Sequence, residues 1–303
     1  NATTDLTTGA ITASQVATLT ITGAGDVDLD AGALNGNTDV IDASASTGDV
    51  DILVGNIADN TGVSADLTVT TGSGNDDVDL TGLDAVDEIS ITLGAGDDIV
   101  YIDEVIQASS TTSPGDVLAG GTGTDTLSAA TATLDSHATT TTVSGFERIN
   151  ITDEHSGSLD VADFGTGIDT VTLAAGAHSG NAGDITFNAG ASVLNIKDVN
   201  DGNLALTAAG TATTDSLTIN LTDTAADALG DKVLTITKIE TVTLDTDLAT
   251  STLNAQTANN VSLTADTGGT TTFNVVGANA LSIDEITAGT VNFSGSTGAV
   301  TMT

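Results

Sequence analysis

A chain of 303 residues with 42 acidic and 4 basic side chains carries a formal charge of −38. That excludes nucleic acid and anionic lipid surfaces as partners, because almost no Lys or Arg is present to neutralise phosphates. Cysteine is absent and no apolar run approaches the roughly 20 residues of a membrane-spanning helix, which excludes disulfides, thiolate metal sites and direct membrane insertion. Self-repulsion on this scale disfavours any compact state unless counter-ions bind. Yet 39% of the residues are hydrophobic and only 2% aromatic, so a core is available and must be built from Val, Ile, Leu and Ala. Such side chains suit thin repeated layers better than one thick centre.

Short alternating segments succeed one another from the start: Ala17 to Thr22, Val27 to Leu29, Val50 to Val54, Leu67 to Thr70, Val78 to Leu80, Ile89 to Leu93 and Ile99 to Ile102. Apolar residues alternating with Thr, Asp or Ser predict half-buried strands, and Gly, Asn or Asp punctuate each one. The starts at Leu67, Val78, Ile89 and Ile99 lie 11, 11 and 10 residues apart. Two segments therefore make one coil of about twenty residues. Two early clusters, Gly25-Asp26-Val27-Asp28-Leu29-Asp30 and Gly48-Asp49-Val50-Asp51, place alternate carboxylates on one side of a strand. Asp26, Asp28, Asp49 and Asp51 can meet a cation between coils or form a solvated acidic face, and both readings stay open.

Between Thr71 and Ser128 a glycine–carboxylate spacing recurs three times: Gly72-Ser73-Gly74-Asn75-Asp76-Asp77-Val78, Gly94-Ala95-Gly96-Asp97-Asp98-Ile99-Val100, and Gly120-Gly121-Thr122-Gly123-Thr124-Asp125-Thr126-Leu127-Ser128. The glycines allow a tight turn with exposed carbonyls, the Asp supplies a hard anionic oxygen, and the apolar residue two positions on begins a strand. Gly-Asp pairs also form ordinary turns. Recurrence in so acidic a chain favours metal ligation by Gly72, Gly74, Asp76, Asp77, Gly94, Gly96, Asp97, Asp98, Gly121, Gly123 and Asp125. The motif recurs after 22 and then 27 residues, once per coil, which predicts a single file of sites along one edge and a broad β-helix in place of a two-sided β-roll.

The third copy has the full form G-G-x-G-x-D-x-U-x, and here the chain resembles the RTX calcium-binding repeat proteins. The resemblance implies Ca²⁺ as the bound ion. Regularity loosens through Thr131 to Thr142 and resumes at Gly145-Phe146-Glu147-Arg148-Ile149-Asn150-Ile151, with an echo at Lys238-Ile239-Glu240-Thr241-Val242-Thr243-Leu244. This apolar-Glu-x-apolar entry into a strand is similar to that of large secreted RTX-like surface-layer proteins. Further strands are expected near Leu159, Val171, Ile185, Val193, Leu204 and Leu217, with a fourth motif copy at Gly165-Thr166-Gly167-Ile168-Asp169-Thr170-Val171 that adds Asp169 as a candidate ligand. Thr222 to Gly230 reads as the one short helix. Segments near Val233, Val242, Leu253, Val261, Phe273, Leu281, Val291 and Val300 return to the strand rhythm.

The expected fold is thus all-β, an elongated parallel β-solenoid with calcium sites stacked along one edge. Residues 1–135 form the calcium-dependent part and residues 136–303 further coils with aliphatic ladders, or both form one continuous stack. Because Asn1 and Thr303 both fall mid-pattern, the chain is expected to be a segment of a longer protein. Catalysis is not expected. The three histidines, His137, His155 and His178, belong to no metalloprotease pattern, and Asp153-Glu154-His155 reads as a polar turn. One tyrosine, Tyr101, and one arginine, Arg148, poorly supply a polysaccharide-modifying groove. Calcium-type repeats in an acidic, cysteine-free chain fit the calcium-rich exterior of a bacterium, secreted or at the cell surface. The resemblance implies a structural building block of a self-assembling surface layer or extracellular, biofilm-type matrix fibre, its partners being copies of itself and, as a further candidate, cell-surface polysaccharide. The alternative is a calcium-stiffened spacer or adhesive region of a large adhesin, with an ice-binding solenoid ranked below both.

Overall fold

The computed structural model describes residues 5–8, 17–30, 40–54, 67–81, 88–103, 106, 115–136, 143–178, 183–198, 202–221, 233–246, 260–264, 270–283 and 285–302. It is a β-solenoid in which the strand pairings among the described residues are parallel. The chain divides into two compact units, residues 1–148 with 163–167, and residues 149–162 with 168–303.

In the first unit the strands alternate between two sheets. One holds β1 (Leu6–Thr8), β3 (Val27–Asp30), β5 (Val50–Leu53), β7 (Asp77–Asp79), β9 (Ile99–Ile102) and β11 (Thr126–Ala129) in that order. The other holds β2 (Thr18–Gly23), β4 (Val40–Ser46), β6 (Leu67–Thr70), β8 (Ile89–Thr92), β10 (Val117–Ala119) and β12 (Val143–Ser144). Each coil contributes one strand to each sheet, so a parallel neighbour is always the next coil, and a one-residue slip would turn every apolar side chain outward. Register is accordingly strict: Val27 pairs with Val50, Ile52 with Val78, Val78 with Val100 and Val100 with Leu127. Ile52, Val78, Val100 and Leu127 are wholly buried, as are Ile41, Val69, Ile91 and Leu118 of the facing sheet. Full burial of each such side chain is worth about 1.5–3 kcal/mol.

The second unit repeats the plan. One sheet runs β13 (Arg148–Ile151), β15 (Thr170–Leu173), β17 (Ala191–Ile196), β19 (Ser216–Leu221), β21 (Thr241–Asp245), β23 (Thr272–Gly277) and β26 (Thr290–Ser296). The second runs β14 (Ser158–Asp160), β16 (Gly183–Phe187), β18 (Leu204–Ala208), β20 (Val233–Thr237), β22 (Asn260–Thr264) and β25 (Glu285–Thr287), while β24 (Leu281–Ile283) pairs separately with β27 (Val300–Met302). Its outward positions form files of Thr and Asn, with Asn195 Nδ2 donating to Thr172 Oγ1 and Asn220 Nδ2 to Asn195 Oδ1.

The expected helix at 222–230 and the strand near Leu253 lie outside the described residues. A five-residue helix does occur at Thr131–Asp135, inside the Thr-rich stretch that reads as a break in the pattern. No side chain caps its N-terminus. Packing holds it instead: Leu134 is buried and the Thr133 hydroxyl donates to the Asp103 carbonyl. A 3₁₀ turn at Val161–Phe164 buries Val161 and Phe164. The strand β4 was not expected, because Ala43 and Ser46 fill inward positions that Val or Leu take elsewhere.

Candidate functional site

The glycines of the three motifs stack on one another. A Cβ on Gly96 would run into the carbonyl of Gly74, one on Gly123 into that of Gly96, one on Gly94 into that of Gly72, and one on Gly121 into that of Gly94. Gly96 and Gly123 also have φ of +142° and +139°. Only glycine gives both this backbone and this approach, so the turns of successive coils rest directly on each other.

That stacking aligns the carboxylates beside the glycines into files. In the inner file each side chain accepts a hydrogen bond from the preceding coil. Val50 N donates to Asp76 Oδ1 at 2.8 Å, Asp76 N to Asp98 Oδ1 at 2.7 Å, Asp98 N to Asp125 Oδ1 at 3.0 Å and Asp125 N to Glu147 Oε2 at 2.9 Å. The outer file runs the other way, each side chain accepting from the following coil. Asp49 N donates to Asp26 Oδ1 at 3.0 Å, Asn75 N to Asp49 Oδ1 at 2.7 Å, Asp97 N to Asn75 Oδ1 at 2.9 Å and Thr124 N to Asp97 Oδ1 at 2.8 Å. A third file, on the strands themselves, places Asp28, Asp51 and Asp77 in register. Asp5, Asp26, Asp28, Asp49, Asp51 and Asp77 together line a groove of about 310 Å³.

The inner file is the unusual one. Asp76, Asp98 and Asp125 are buried, the last two completely, and Asp98 Oδ2 and Asp125 Oδ2 have no hydrogen-bond partner. Gly72 N satisfies the second oxygen of Asp76 at 3.2 Å. Burial, with the neighbouring Asp76, Asp125 and Asp97 charges, pushes the Asp98 carboxyl up to about 7. Burial likewise raises Asp76 and Asp125. In the strand file burial and the Asp51 and Asp79 charges push Asp77 up to about 6, against a hydrogen bond from Tyr101. Buried anions with free oxygens are stable only when neutralised by a proton or a bound cation. The orphaned oxygens, hard and anionic, fit the latter. Among the described residues no three His, Cys, Asp or Glu side chains converge as a ready metal cluster, so main-chain carbonyls would have to supply much of a coordination shell.

The structure therefore brings Asp76, Asp98 and Asp125 into one file, Asp26, Asp49 and Asp97 into a second, and Asp28, Asp51 and Asp77 into a third. It leaves Asp169 out. In the fourth motif copy the residue before the Asp is Ile168, which is buried, so Asp169 faces outward and its carboxylate accepts from the adjacent Thr170 hydroxyl at 2.7 Å, not from the amide of another coil. Glu147 ends the inner file, a role the motif does not announce. The second unit has an equivalent clasp: Gly190 N donates to Asp215 Oδ1 and Asp215 N to Glu240 Oε2 at 3.0 Å, with both acids buried. The shared apolar-Glu-x-apolar segment was the available signal.

Comparison with protein-family models, with characterised proteins and with solved structures finds no match for this chain. Among the described residues no helix is long and apolar enough to cross a membrane.

Proposed function

We propose that the chain is a structural building block of a secreted, calcium-dependent surface layer or extracellular matrix fibre. The observation that carries this reading is the inner carboxylate file, with two buried oxygens left unpaired in a chain of charge −38. Where calcium is scarce, repulsion along the files opposes stacking of the coils. In calcium-rich medium bound ions neutralise the files and favour the stacked state, so metal binding free energy becomes folding free energy. Neutralised coils then present strand edges to other copies, which supports self-association. No step of this reading requires catalysis by the chain.

Tyr101, beside Asp77, provides a reporter. Terbium, a calcium mimic, should luminesce when excited through this one tyrosine, and added Ca²⁺ should quench the signal competitively. Circular dichroism and electron microscopy with and without chelator should show β signal and ordered polymer lost together. Folding without polymer would favour the adhesin spacer instead. Unchanged dichroism on chelation, with no terbium signal, would overturn calcium dependence altogether.

A further inference from the structure

The two clasps, Asp125–Glu147 and Asp215–Glu240, share a backbone plan. Glu147 N and Arg148 N both donate to the Asp125 carbonyl, at 3.1 and 3.0 Å, and Glu240 N and Thr241 N to the Asp215 carbonyl, at 3.0 and 3.1 Å. Each Glu follows a buried apolar residue, Phe146 or Ile239, and a corner residue of positive φ, Gly145 at +71° or Lys238 at +57°. Each Asp stands five residues after a glycine, Gly120 or Gly210.

They differ in one respect. In the second unit the corner residue is a lysine, and its Nζ donates to the Gly210 carbonyl at 3.2 Å, so a positive charge sits on the turn that leads to Asp215. In the first unit the corner is Gly145 and brings no charge. There, instead, Asp125 Oδ2 is buried without a partner, and it converges with the Gly145 carbonyl oxygen on the side-chain-free face of Gly120. A Cβ on Gly120 would lie 2.8 Å from Asp125 Oδ2 and collide with the Gly145 carbonyl oxygen. Glu147, held against Asp125 by the Asp125 N–H, adds a second carboxylate whose charge pushes Asp125 further up.

We infer that the Gly145–Glu147 corner, which lies outside the glycine-rich motif, is the closing half of a divalent-cation site whose other half is Asp125 and the Gly120 turn, and that Lys238 replaces that ion in the second unit. The inference rests on the calcium reading above and extends it to the ligands that close the inner file. The Gly145 carbonyl and the Glu147 carboxylate are oxygen donors of the class that calcium prefers.

The test is calcium titration of the full chain by calorimetry, with unfolding followed in parallel. Glu147→Gln should bind one ion fewer, or bind it at least about tenfold more weakly. Gly145→Lys, whose Cβ would sit 2.8 Å from the Gly121 nitrogen and so costs stability, should also lose one ion in the fraction that folds. Glu240→Gln, which disturbs the same clasp where lysine serves, should leave the calcium isotherm unchanged. If Glu147→Gln and Gly145→Lys both bind as many ions as the unaltered chain with the same affinity, the inference falls and the calcium reading stands. Should either variant fail to fold, the other decides, and if both fail Lys238→Gly decides, since it should add one ion in the second unit. If the unaltered chain binds no calcium, the calcium reading itself fails and this inference with it.

Discussion

Asp98 shows how a single side chain can oppose the fold it belongs to. Its Oδ1 accepts the Asp76 N–H, but its Oδ2 is buried without a partner, and its carboxyl is pushed up to about 7. In the unfolded chain the same group titrates near the ordinary value of about 3.9. The folded state therefore holds the proton more tightly, and stability is greatest at acid pH and is lost as pH rises through about 7. Asp77, pushed up to about 6, adds to the loss in the same direction. In chelator, the chain should keep its β dichroism and melt cooperatively at about pH 4, with the midpoint falling as pH is raised until the signal is lost near neutrality. Asp98→Asn should flatten that dependence and raise the midpoint at neutral pH, at the cost of calcium affinity. A midpoint that rises with pH in chelator would contradict this account of the inner file. Gly96→Ala should cost well over about 1 kcal/mol in denaturant melts, because a methyl group meets both a left-handed backbone and the Gly74 carbonyl. At this scale the motif residues were legible because Gly and Asp have few reasons to recur at one spacing. Asp169 was misleading, since one apolar neighbour, Ile168, takes the buried position and rotates it outward.

Among the elements, alternation made most strands readable, because a parallel coil with one face in the core allows only inward Val, Ile or Leu and outward Thr, Asp or Asn. The segment Val40–Ser46 escaped since Ala and Ser carry its inward positions, and the helix at Thr131–Asp135 escaped because tertiary contacts and not caps sustain it. Glu147 and Glu240 escaped for a different reason: an acid at the entry to a strand reads as solvent-facing, whereas here each turns back to receive an N–H from the coil before. Leu127, wholly buried in β11 and the apolar residue of the third motif, joins these two kinds of element. Leu127→Ala should destabilise by about 2–5 kcal/mol. If calcium binding and folding are coupled, the same variant should need more calcium to reach half-folding in a dichroism titration. An unchanged half-point alongside lowered stability would separate the two.

On the scale of the whole chain, 42 acids against 4 bases was the most legible fact and the β-solenoid the most direct consequence of the rhythm. What the residues do for one another across coils was not legible, because partners 22 to 27 positions apart leave no local trace. Monovalent salt should substitute poorly for calcium: screening weakens repulsion between exposed Asp26, Asp28 and Asp49 but reaches the buried file far less. Chelated protein in high NaCl should therefore regain only part of the dichroism that Ca²⁺ restores. The inner and outer files have opposite polarity, and this sets an order of events for a chain delivered amino end first. Each arriving row finds an outer acceptor already waiting on the row laid down before it, and then reaches back to lock the inner amide that its predecessor left open. Every row is thus joined by two such bonds to the row before it and by two more to the row after it, and only the latest row has a single pair. Drawn from its carboxyl end in an optical trap, the first unit should pay out in instalments of 22 to 27 residues, one row at a time.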